Sequence, residues 1–272
     1  MESSSLARTD RALAQRLERT EAASNASFVE ARARLDPGSG AEWREVSGTY
    51  AMFDGAASPI TQTFGLGMFA PLVERDLDVL EDFFASRGAG TCHEICPMSD
   101  PVHLLLLPAR GYRPIELSSV LCLPLDEVRS GSGPGGVTAR PIRPGEETLW
   151  AETSAAGWGS EPAVADLVRG LAEISVRGGA TACFLAEHDG EAVATGGLFL
   201  HEGVLLLAGA STLPAWRGRG AQNALLAARL RYGTERGADL AMVVTLPGSI
   251  SQLNAERQGF RMAYTRTKWQ RA

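Results

Sequence analysis

The stretch from Leu205 to Leu226 holds the residues best suited to chemistry. An apolar segment is followed by a turn that contains Gly218 and Gly220, and then by a helical pattern. A helix N-terminus carries unpaired N–H groups and a partial positive charge, and glycine lets the backbone approach a bound group closely. Arg217 and Arg219 add two positive side chains. The stretch therefore predicts an anion site for a phosphate or pyrophosphate group.

Two common phosphate-binding motifs do not fit this stretch. The dinucleotide fingerprint G-x-G-x-x-G would need glycine where the chain has Asn223, and the Walker A pattern needs Gly-Lys-Ser/Thr, which is absent. The remaining alternative is an ordinary strand, turn and helix whose glycines serve only the geometry of the turn.

The residues resemble the acyl-CoA loop of the GCN5-related N-acetyltransferases, the GNAT superfamily. That loop reads Arg/Gln-x-x-Gly-x-Gly/Ala, follows a strand with a proline just beyond it, and opens a small-Leu-Leu helix. One position departs from the pattern, because Gln222 stands where the family has Gly or Ala. The matching residues are Pro214, Arg217, Gly218, Arg219, Gly220, Ala221, Ala224, Leu225 and Leu226.

The resemblance implies that acetyl-CoA is a co-substrate and that its pyrophosphate lies on the N–H groups of residues 218–222. Backbone groups near Thr212 and Leu213 are then expected to pair with the pantetheine arm. The N–H near Leu213 is expected to polarise the thioester carbonyl. The cofactor-binding residues expected on this basis are Thr212, Leu213, Arg217, Gly218, Arg219, Gly220, Ala221, Gln222 and Asn254.

No residue is assigned as the catalytic acid or base. Family members often place a tyrosine four residues before the Gly-Phe of the last helix, and this chain has Ala255 there. Ser249, Ser251 and Tyr264 are nearby replacements, although a serine here can simply cap a helix and a strand tyrosine can simply pack on the sheet. A thiolate can also leave with water as its proton source. The candidate bases are His93, Glu94, Glu152 and His201.

The segment 157–161, Gly-Trp-Gly-Ser-Glu, joins two predicted helices that in this family wall the acceptor pocket. Trp158 between two glycines is either a contact to the acceptor or a core residue.

The amino-acid composition limits the classes of binding partner that are expected. The 272 residues include 26 basic and 32 acidic residues, for a net charge of −6, which argues against nucleic acid or an anionic membrane as a partner. No apolar run approaches the roughly 20 residues of a membrane span, and the N-terminus lacks a signal-peptide pattern, so a cytoplasmic location is expected.

Four cysteines are too few for a disulfide framework. Cys92 and Cys96 flank His93, which raises the question of a metal site. They lie on a predicted strand and no second ligand pair follows at zinc-site spacing, so buried thiols without a metal are expected.

Periodicity and turn residues predict an alternating chain of helices and strands. The predicted helices span residues 9–35 (two helices or one broken helix), 72–86, 102–110, 145–156, 162–177, 221–235 and 249–258. The predicted strands span residues 43–53, 60–69, 91–96, 115–123, 137–142, 182–188, 192–199, 204–209, 240–246 and 262–269.

The order from residue 137 onward is that of the GNAT fold. The Gly/Ser/Pro-rich segment 129–136 reads as a linker. It separates a first domain, 1–128, from an acyl-CoA-binding catalytic domain, 137–272.

An internal repeat connects the two halves. Arg-Gly-Ala recurs at 87–89 and 236–238, and Gly followed by an aromatic residue and Arg recurs within 110–113 and 258–261, at offsets of 149 and 148. Shifting the loop by 149 residues lands on 68–71, Met-Phe-Ala-Pro, which lacks its arginine and glycines. The first half therefore reads as a degenerate GNAT-like domain without a cofactor site.

The sequence thus predicts an α/β (α+β) chain of two GNAT-like domains, each with a mixed, mostly antiparallel central sheet flanked by helices. It predicts an acyl-CoA-dependent N-acyltransferase that transfers acetyl to the primary amine of a small molecule or peptide by direct attack. One alternative is a non-catalytic acyl-CoA-binding sensor or scaffold. A second alternative is an enzyme whose nucleophile is not an amine or whose donor is a longer acyl-CoA. A homodimer is compatible with each interpretation.

Overall fold

The computed structural model describes residues 9–127, 136–159 and 162–271. Its helices are α1 (Arg11–Leu35), α2 (Glu74–Ala85), α3 (His103–Ala109), α4 (Glu147–Ala156), α5 (Pro162–Gly178), α6 (Ala221–Thr234) and α7 (Ile250–Arg257). Its strands are β1 (Glu42–Val46), β2 (Thr49–Phe53), β3 (Gln62–Phe64), β4 (Cys92–Ile95), β5 (Tyr112–Pro124), β6 (Thr138–Pro141), β7 (Ala182–His188), β8 (Glu191–His201), β9 (Val204–Thr212), β10 (Leu240–Thr245) and β11 (Arg261–Arg271). The predicted mixed α/β architecture with a mostly antiparallel sheet is confirmed.

The chain packs as two compact units. Unit 1 combines the described residues up to 124 with 242–271, and unit 2 lies within 125–241. The C-terminal segment joins unit 1 because β11 pairs with both β4 and β5. The packing units therefore differ from the sequence halves 1–128 and 137–272, which remain a proposal about duplicated modules. Most of the expected linker, 129–135, lies outside the described residues.

The sheet of unit 1 has the strand order β1-β2-β3-β4-β11-β5, followed by residues 242–245 of β10. Its recorded pairings are antiparallel apart from the parallel pair β3 and β4. Successive residues of a strand point to opposite faces, and Ala51 and Met52 enter two different cores accordingly. Helix α2 supplies Phe83 to the first core, and helix α1 supplies Val29 to the second.

The sheet of unit 2 has the antiparallel order β9-β8-β7-β6. Helices α4 and α5 cover one face, where Trp150 packs with Leu185. The neighbouring residue Phe184 points the other way and meets Tyr232 of α6 edge-on at 5.4 Å between ring centroids. The helix that follows the glycine turn is thereby held against one face of the β7–β9 meander.

The two predicted hairpin turns of unit 2 are confirmed. Asp189 and Gly190 have φ of 50° and 84°, and Glu202 and Gly203 have φ of 45° and 80°. Two successive residues with positive φ match the turn that fits the twist of a two-residue hairpin.

Three regions of unit 1 differ from the expected elements. The single strand expected over 43–53 is a hairpin, because Ser47 and Gly48 have φ of 49° and 81° and form a turn around which β1 and β2 pair antiparallel. Helix α1 is continuous through Ser24–Ser27, because Ala22, Ala26 and Val29 are buried along one side and this packing outweighs the weak helix preference of Ser and Asn. The expected strand over 60–69 ends at Phe64. Gly65 begins a series of turns there, with φ of 81°.

The internal repeat is visible in local geometry. Gly88 and Gly237 end α2 and α6 in the left-handed conformation, with φ of 67° and 82°. In both cases the arginine before the glycine folds back over an aromatic ring, Phe83 at 4.2 Å or Tyr232 at 3.4 Å. These rings are also 149 residues apart, so the two helix ends are built alike in side chain and backbone.

None of the described helices is long and apolar enough to cross a lipid bilayer.

Candidate functional site

The end of β9 carries an irregularity that shapes the site. The register between β8 and β9 shifts by one residue between Thr195 and Gly197, and Gly209 has φ of 60°. An extra residue on one strand of an antiparallel pair is a β-bulge, which bends that strand and re-aims the residues beyond it. The bulge lies just before Ser211 and Thr212, the last residues of the strand.

Beyond the bulge the backbone of Thr212 and that of Leu213 face opposite ways. Leu213 donates its N–H to the carbonyl of Val193 on β8 at 3.0 Å. Because hydrogen-bonded and non-hydrogen-bonded pairs alternate, Thr212 opposite Ala194 turns its N–H and C=O away from β8. The expectation of a free N–H at Leu213 is therefore wrong, and Thr212 is the residue that presents its backbone at the strand edge.

The loop after β9 has the form expected of an anion cradle. A short 3₁₀ turn, Pro214–Trp216, leads to Gly218 and Gly220, whose φ values are 75° and 86°. Gly220 is the N-cap residue of α6, and no side chain caps the helix. A Cβ placed on Gly218 would meet no atom within 4 Å. The start of α6 therefore has no side-chain cap and follows a glycine with open space around it, which suits a phosphate.

The polar and charged side chains of the loop already make contacts within the protein. Gln222 donates to the Oγ1 atom of Thr212 at 2.7 Å and to the carbonyl of Ser211 at 3.2 Å, so its side chain ties the helix start to the strand end. The guanidinium of Arg219 lies over the ring of Trp216, 5.2 Å from its centroid.

Arg217 points to the end of another helix. Its Nη2 atom donates to the carbonyl of Gly157, the residue that caps the C-terminus of α4, at 2.7 Å. The hydroxyl of Ser211 donates to the carbonyl of Ser154, in the last turn of α4, at 2.8 Å. The strand end, the glycine turn and α4 are therefore joined by side-chain hydrogen bonds within unit 2.

Gly157 is required by close approach. A Cβ on this residue would lie 1.8 Å from the Oγ atom of Ser211 and 3.1 Å from the amide nitrogen of Thr212. Only glycine lets the end of α4 come this near to β9. The next residue, Trp158, is half exposed, which removes the core interpretation, while Ser160 and Glu161 lie outside the described residues.

A buried arginine lies beneath the bulge and was not anticipated from the sequence. Arg229 of α6 is buried and donates to the carbonyls of Leu225, Gly197 and Ala208. Desolvation alone lowers the pKa of its guanidinium to about 10, so it stays charged at neutral pH. The sequence signal was its position four residues after the apolar Leu225, on the same side of the helix.

The residues weighed as acids and bases in unit 1 are mostly buried in packing. Tyr264 donates to the Oε1 atom of Glu18 at 2.7 Å, and burial raises the pKa of its phenol well above the ordinary value. His93 bonds to the hydroxyl of Thr63, and burial lowers its pKa to about 3. Glu94 is buried next to Lys268. These contacts suit the interpretation of Tyr264 as a packing residue.

The remaining candidates have ordinary surroundings. Ser249 caps α7 by accepting from the N–H of Gln252 at 3.2 Å. Glu152 pairs with Arg169 at the surface. Asn254, expected to reach the cofactor, lies exposed on α7 in unit 1, and its role remains a prediction. Ser251 is exposed and His201 is half-buried.

All four cysteines are free thiols. Burial raises the pKa of Cys96 and of Cys183 to about 12, which suppresses the reactive thiolate. Among the described residues no cluster of three or more His, Cys, Asp or Glu side chains is placed to hold a metal ion.

The segment that the internal repeat predicts as the counterpart of the glycine turn is occupied by contacts within the protein. Met68 is buried, and its carbonyl accepts hydrogen bonds from Arg11 at 2.9 Å and Gln15 at 3.0 Å, both on α1. The N–H of Leu72, just before α2, is bonded to the Oδ2 atom of Asp100 at 3.2 Å. A carboxylate of the protein thus occupies the position at which an anion would meet this segment.

Residues 146–248 match the family model described as the acetyltransferase (GNAT) domain. The matched range contains α4, α5, the β7–β9 meander, the glycine turn, α6 and β10. No curated protein matches the chain.

Several solved structures share the fold over most of the chain. A GCN5-related N-acetyltransferase from Kribbella flavida aligns with a TM-score of 0.63 at 18% identity, over 92% of this chain and 95% of that one. A GCN5-related N-acetyltransferase from Sphaerobacter thermophilus aligns at 0.55 and 20% identity, over 77% and 71%. A tandem GNAT protein from the clavulanic acid biosynthesis pathway aligns at 0.58 and 13% identity, over 95% and 93%. At these identities the likeness concerns the fold.

Proposed function

We propose that this chain is a GNAT-type acetyltransferase, which transfers the acetyl group of acetyl-CoA to the primary amine of a small molecule or peptide. The observation that carries the proposal is the start of α6. Two left-handed glycines precede a helix N-terminus that no side chain caps. A helix start without a side-chain cap is suited to a pyrophosphate.

The pantetheine arm would run along the edge of β9 that faces away from β8. Thr212 presents an N–H and a C=O there, and an amide-bearing arm can pair with them as an added strand would. Gln222 fixes the Thr212 side chain at 2.7 Å, so that edge is preorganised relative to the start of α6. Two recognition elements for one ligand are thus held together by a side chain that the loop motif of the family lacks.

Holding thioester and amine together supplies much of the rate in a direct transfer. The amine nitrogen, after losing a proton to solvent or to a base, forms a bond to the thioester carbon. The C–S bond breaks, and the sulfur leaves as a thiolate that takes a proton from water. No tyrosine is needed for the last step, because a thiol of ordinary pKa near 8.5 is an adequate leaving group.

The first experiment is calorimetric titration with acetyl-CoA, with CoA and with NADH as a negative control, followed by assay of thiol release across a panel of amines. Acetyl-CoA at 100 times its Kd should stabilise the protein by about 2.7 kcal/mol in a thermal or chemical unfolding assay. Binding without thiol release for every amine would favour a sensor or scaffold. Absence of binding to acetyl-CoA and CoA would refute the site.

Gly220→Glu should abolish acetyl-CoA binding, because it places a carboxylate at the N-terminus of α6 where the pyrophosphate is expected. The matched control is Gly237→Glu, at the other end of the same helix. Both glycines have positive φ, 86° and 82°. The backbone cost should therefore be similar, about 1–2 kcal/mol in each. Equal acetyl-CoA affinity in the two variants would refute the cradle.

A further inference from the structure

The C-terminus of α4 is fastened to the glycine turn by one charged hydrogen bond. Helix C-termini leave carbonyls without intrahelical partners and carry a partial negative charge. At α4 the carbonyl of Gly157 receives the guanidinium of Arg217 at 2.7 Å. Arg217 is the first residue of the loop pattern, and its side chain is thereby directed at α4.

The contact lies beside the half-exposed Trp158. The hydroxyl of Ser211 holds the carbonyl of Ser154 at 2.8 Å, and Gly157 approaches Ser211 so closely that any Cβ would collide with it. The segment 154–158 therefore rests on the strand end on one side and on Arg217 on the other. Its position depends on the conformation of the turn that begins at Arg217.

We infer that Arg217 is a positioning residue that transmits occupation of the glycine turn to the segment 154–158, and so fixes Trp158 and its neighbours when acyl-CoA binds. This inference rests on the proposed function. In this role the side chain of Arg217 acts on the carbonyl of Gly157, while backbone N–H groups at Gly218 and at the start of α6 hold the phosphates. Binding of the acyl donor then shapes the surface next to Trp158 before an acceptor arrives.

The physical basis is a shared set of restraints. A phosphate that orders the turn also restricts the side chain of Arg217. A side chain that is already restricted loses less conformational entropy when it forms a hydrogen bond to a carbonyl. Hydrogen bonds to charged groups are among the stronger ones in proteins. The coupling should therefore be visible without any acceptor, as slower backbone opening at the end of α4.

The test is hydrogen exchange of the full chain with and without saturating acetyl-CoA. In the parent protein, acetyl-CoA should slow amide exchange about fivefold or more in two segments, 218–223 and 154–158. In Arg217→Met, which keeps an unbranched apolar side chain and loses the donors, the slowing should persist in 218–223 and disappear in 154–158. Arg217→Lys, which retains a charged donor, should restore part of it.

Arg219→Met is the matched control, because it removes the same charge from the same turn. Arg219 lies over Trp216 and is expected to weaken acetyl-CoA binding while leaving the slowing in 154–158 intact at saturation. A purely structural role of Arg217 would raise exchange in 154–158 equally with and without ligand, so the ligand-dependent ratio is the decisive quantity.

The outcomes separate the inference from the proposed function. If acetyl-CoA slows 218–223 but Arg217→Met keeps the slowing in 154–158, or the parent shows none there, the positioning role is overturned and the acyl-CoA site stands. If saturating acetyl-CoA slows neither segment in the parent and calorimetry shows no binding, both are overturned.

Discussion

At the scale of single residues, the candidate site depends on contacts that permit almost no variation in size. The closest is between Gly157 and Ser211, where an added methyl group would lie 1.8 Å from a hydroxyl oxygen. The φ of Gly157 is −65°, so the backbone would accept any residue and only the lack of space requires glycine.

Gly157→Ala should therefore destabilise unit 2 by about 1–3 kcal/mol, as overpacking does in a tight contact. Urea unfolding measures the change. In a Ser211→Ala background the same substitution should cost less, because the colliding oxygen is gone, and the difference defines a coupling of about 1 kcal/mol.

Gly170→Ala is the control, since Gly170 lies inside α5 and a Cβ there meets nothing within 4 Å. It should stabilise the protein by about 0.5–1 kcal/mol, as expected for a helix interior. If both alanines changed the stability in the same direction, the close contact at Gly157 would not be the cause.

At the scale of elements, the bulge of β9 is supported from below by a single side chain of α6. A bulge interrupts the hydrogen-bond ladder, and its unpaired carbonyls need other donors. Arg229 supplies them, at 3.1 Å to Gly197 and 3.5 Å to Ala208. Gly196 is also fitted to this side chain, because a Cβ there would lie 2.9 Å from the Cζ atom of Arg229.

Arg229→Met should lower the free energy of unfolding by about 1–3 kcal/mol, since several buried carbonyls lose their donor at once. It should also weaken acetyl-CoA binding, because the bulge directs Thr212 toward the edge that faces away from β8. Calorimetry and urea unfolding measure the two effects. Arg231→Met, on the exposed side of the same helix, should change stability by less than about 0.5 kcal/mol.

A stable Arg229→Met variant with unchanged acetyl-CoA affinity would show that the bulge holds its shape without this arginine.

At the scale of the whole molecule, the N-terminal helix and the C-terminal strand meet in the interior of unit 1. Arg266 of β11 is buried and contacts Glu18 at 3.4 Å and Glu21 at 2.6 Å, both on α1. Tyr264 adds a hydrogen bond to Glu18. Residues 248 positions apart thus share one buried charge cluster, which explains why 242–271 packs with unit 1.

This cluster predicts a pH dependence of stability. Desolvation raises the pKa of Glu18 and Glu21 above 4.5, although Arg266 opposes the rise. The folded state then binds more protons than the unfolded state above pH 4.5. The stability contributed by these groups is fully present below that pH and is lost as the pH rises through the raised pKa.

Glu18→Gln imitates the protonated side chain, so its stability relative to the parent should increase as the pH rises from about 4.5 to 8. Urea unfolding at a series of pH values gives this difference. Glu146→Gln is the control with the opposite sign, because bonds from Arg140 and from the N–H of Arg143 lower the pKa of Glu146 to about 2. Its difference from the parent should change below pH 4.5 and stay flat above. A flat difference for Glu18→Gln over the whole range would contradict the raised pKa.

Local sequence was sufficient to predict most elements and the glycine turn, because turns and helix ends depend on residues within a few positions of one another. The glycine turn at 218–220, the hairpins at 189–190 and 202–203 and the duplicated helix ends at 87–89 and 236–238 were all readable in this way. The proposal of a degenerate first copy also rests on local sequence, because Met-Phe-Ala-Pro at 68–71 lacks the arginine and glycines of the loop.

Tertiary structure decided what those elements do to one another. Three hydrogen bonds show this: the N–H of Leu213 donates to Val193, the side chain of Gln222 donates to Thr212, and Arg217 donates to Gly157. In each pair the partners lie 10 to 60 residues apart in the sequence. Helix α1 continues through a polar stretch because one of its sides is buried. Strand β11 packs in unit 1, although the sequence placed it in the second half, because its partners are β4 and β5. Local patterns cannot specify such choices, since they depend on which surfaces meet once distant segments have folded together.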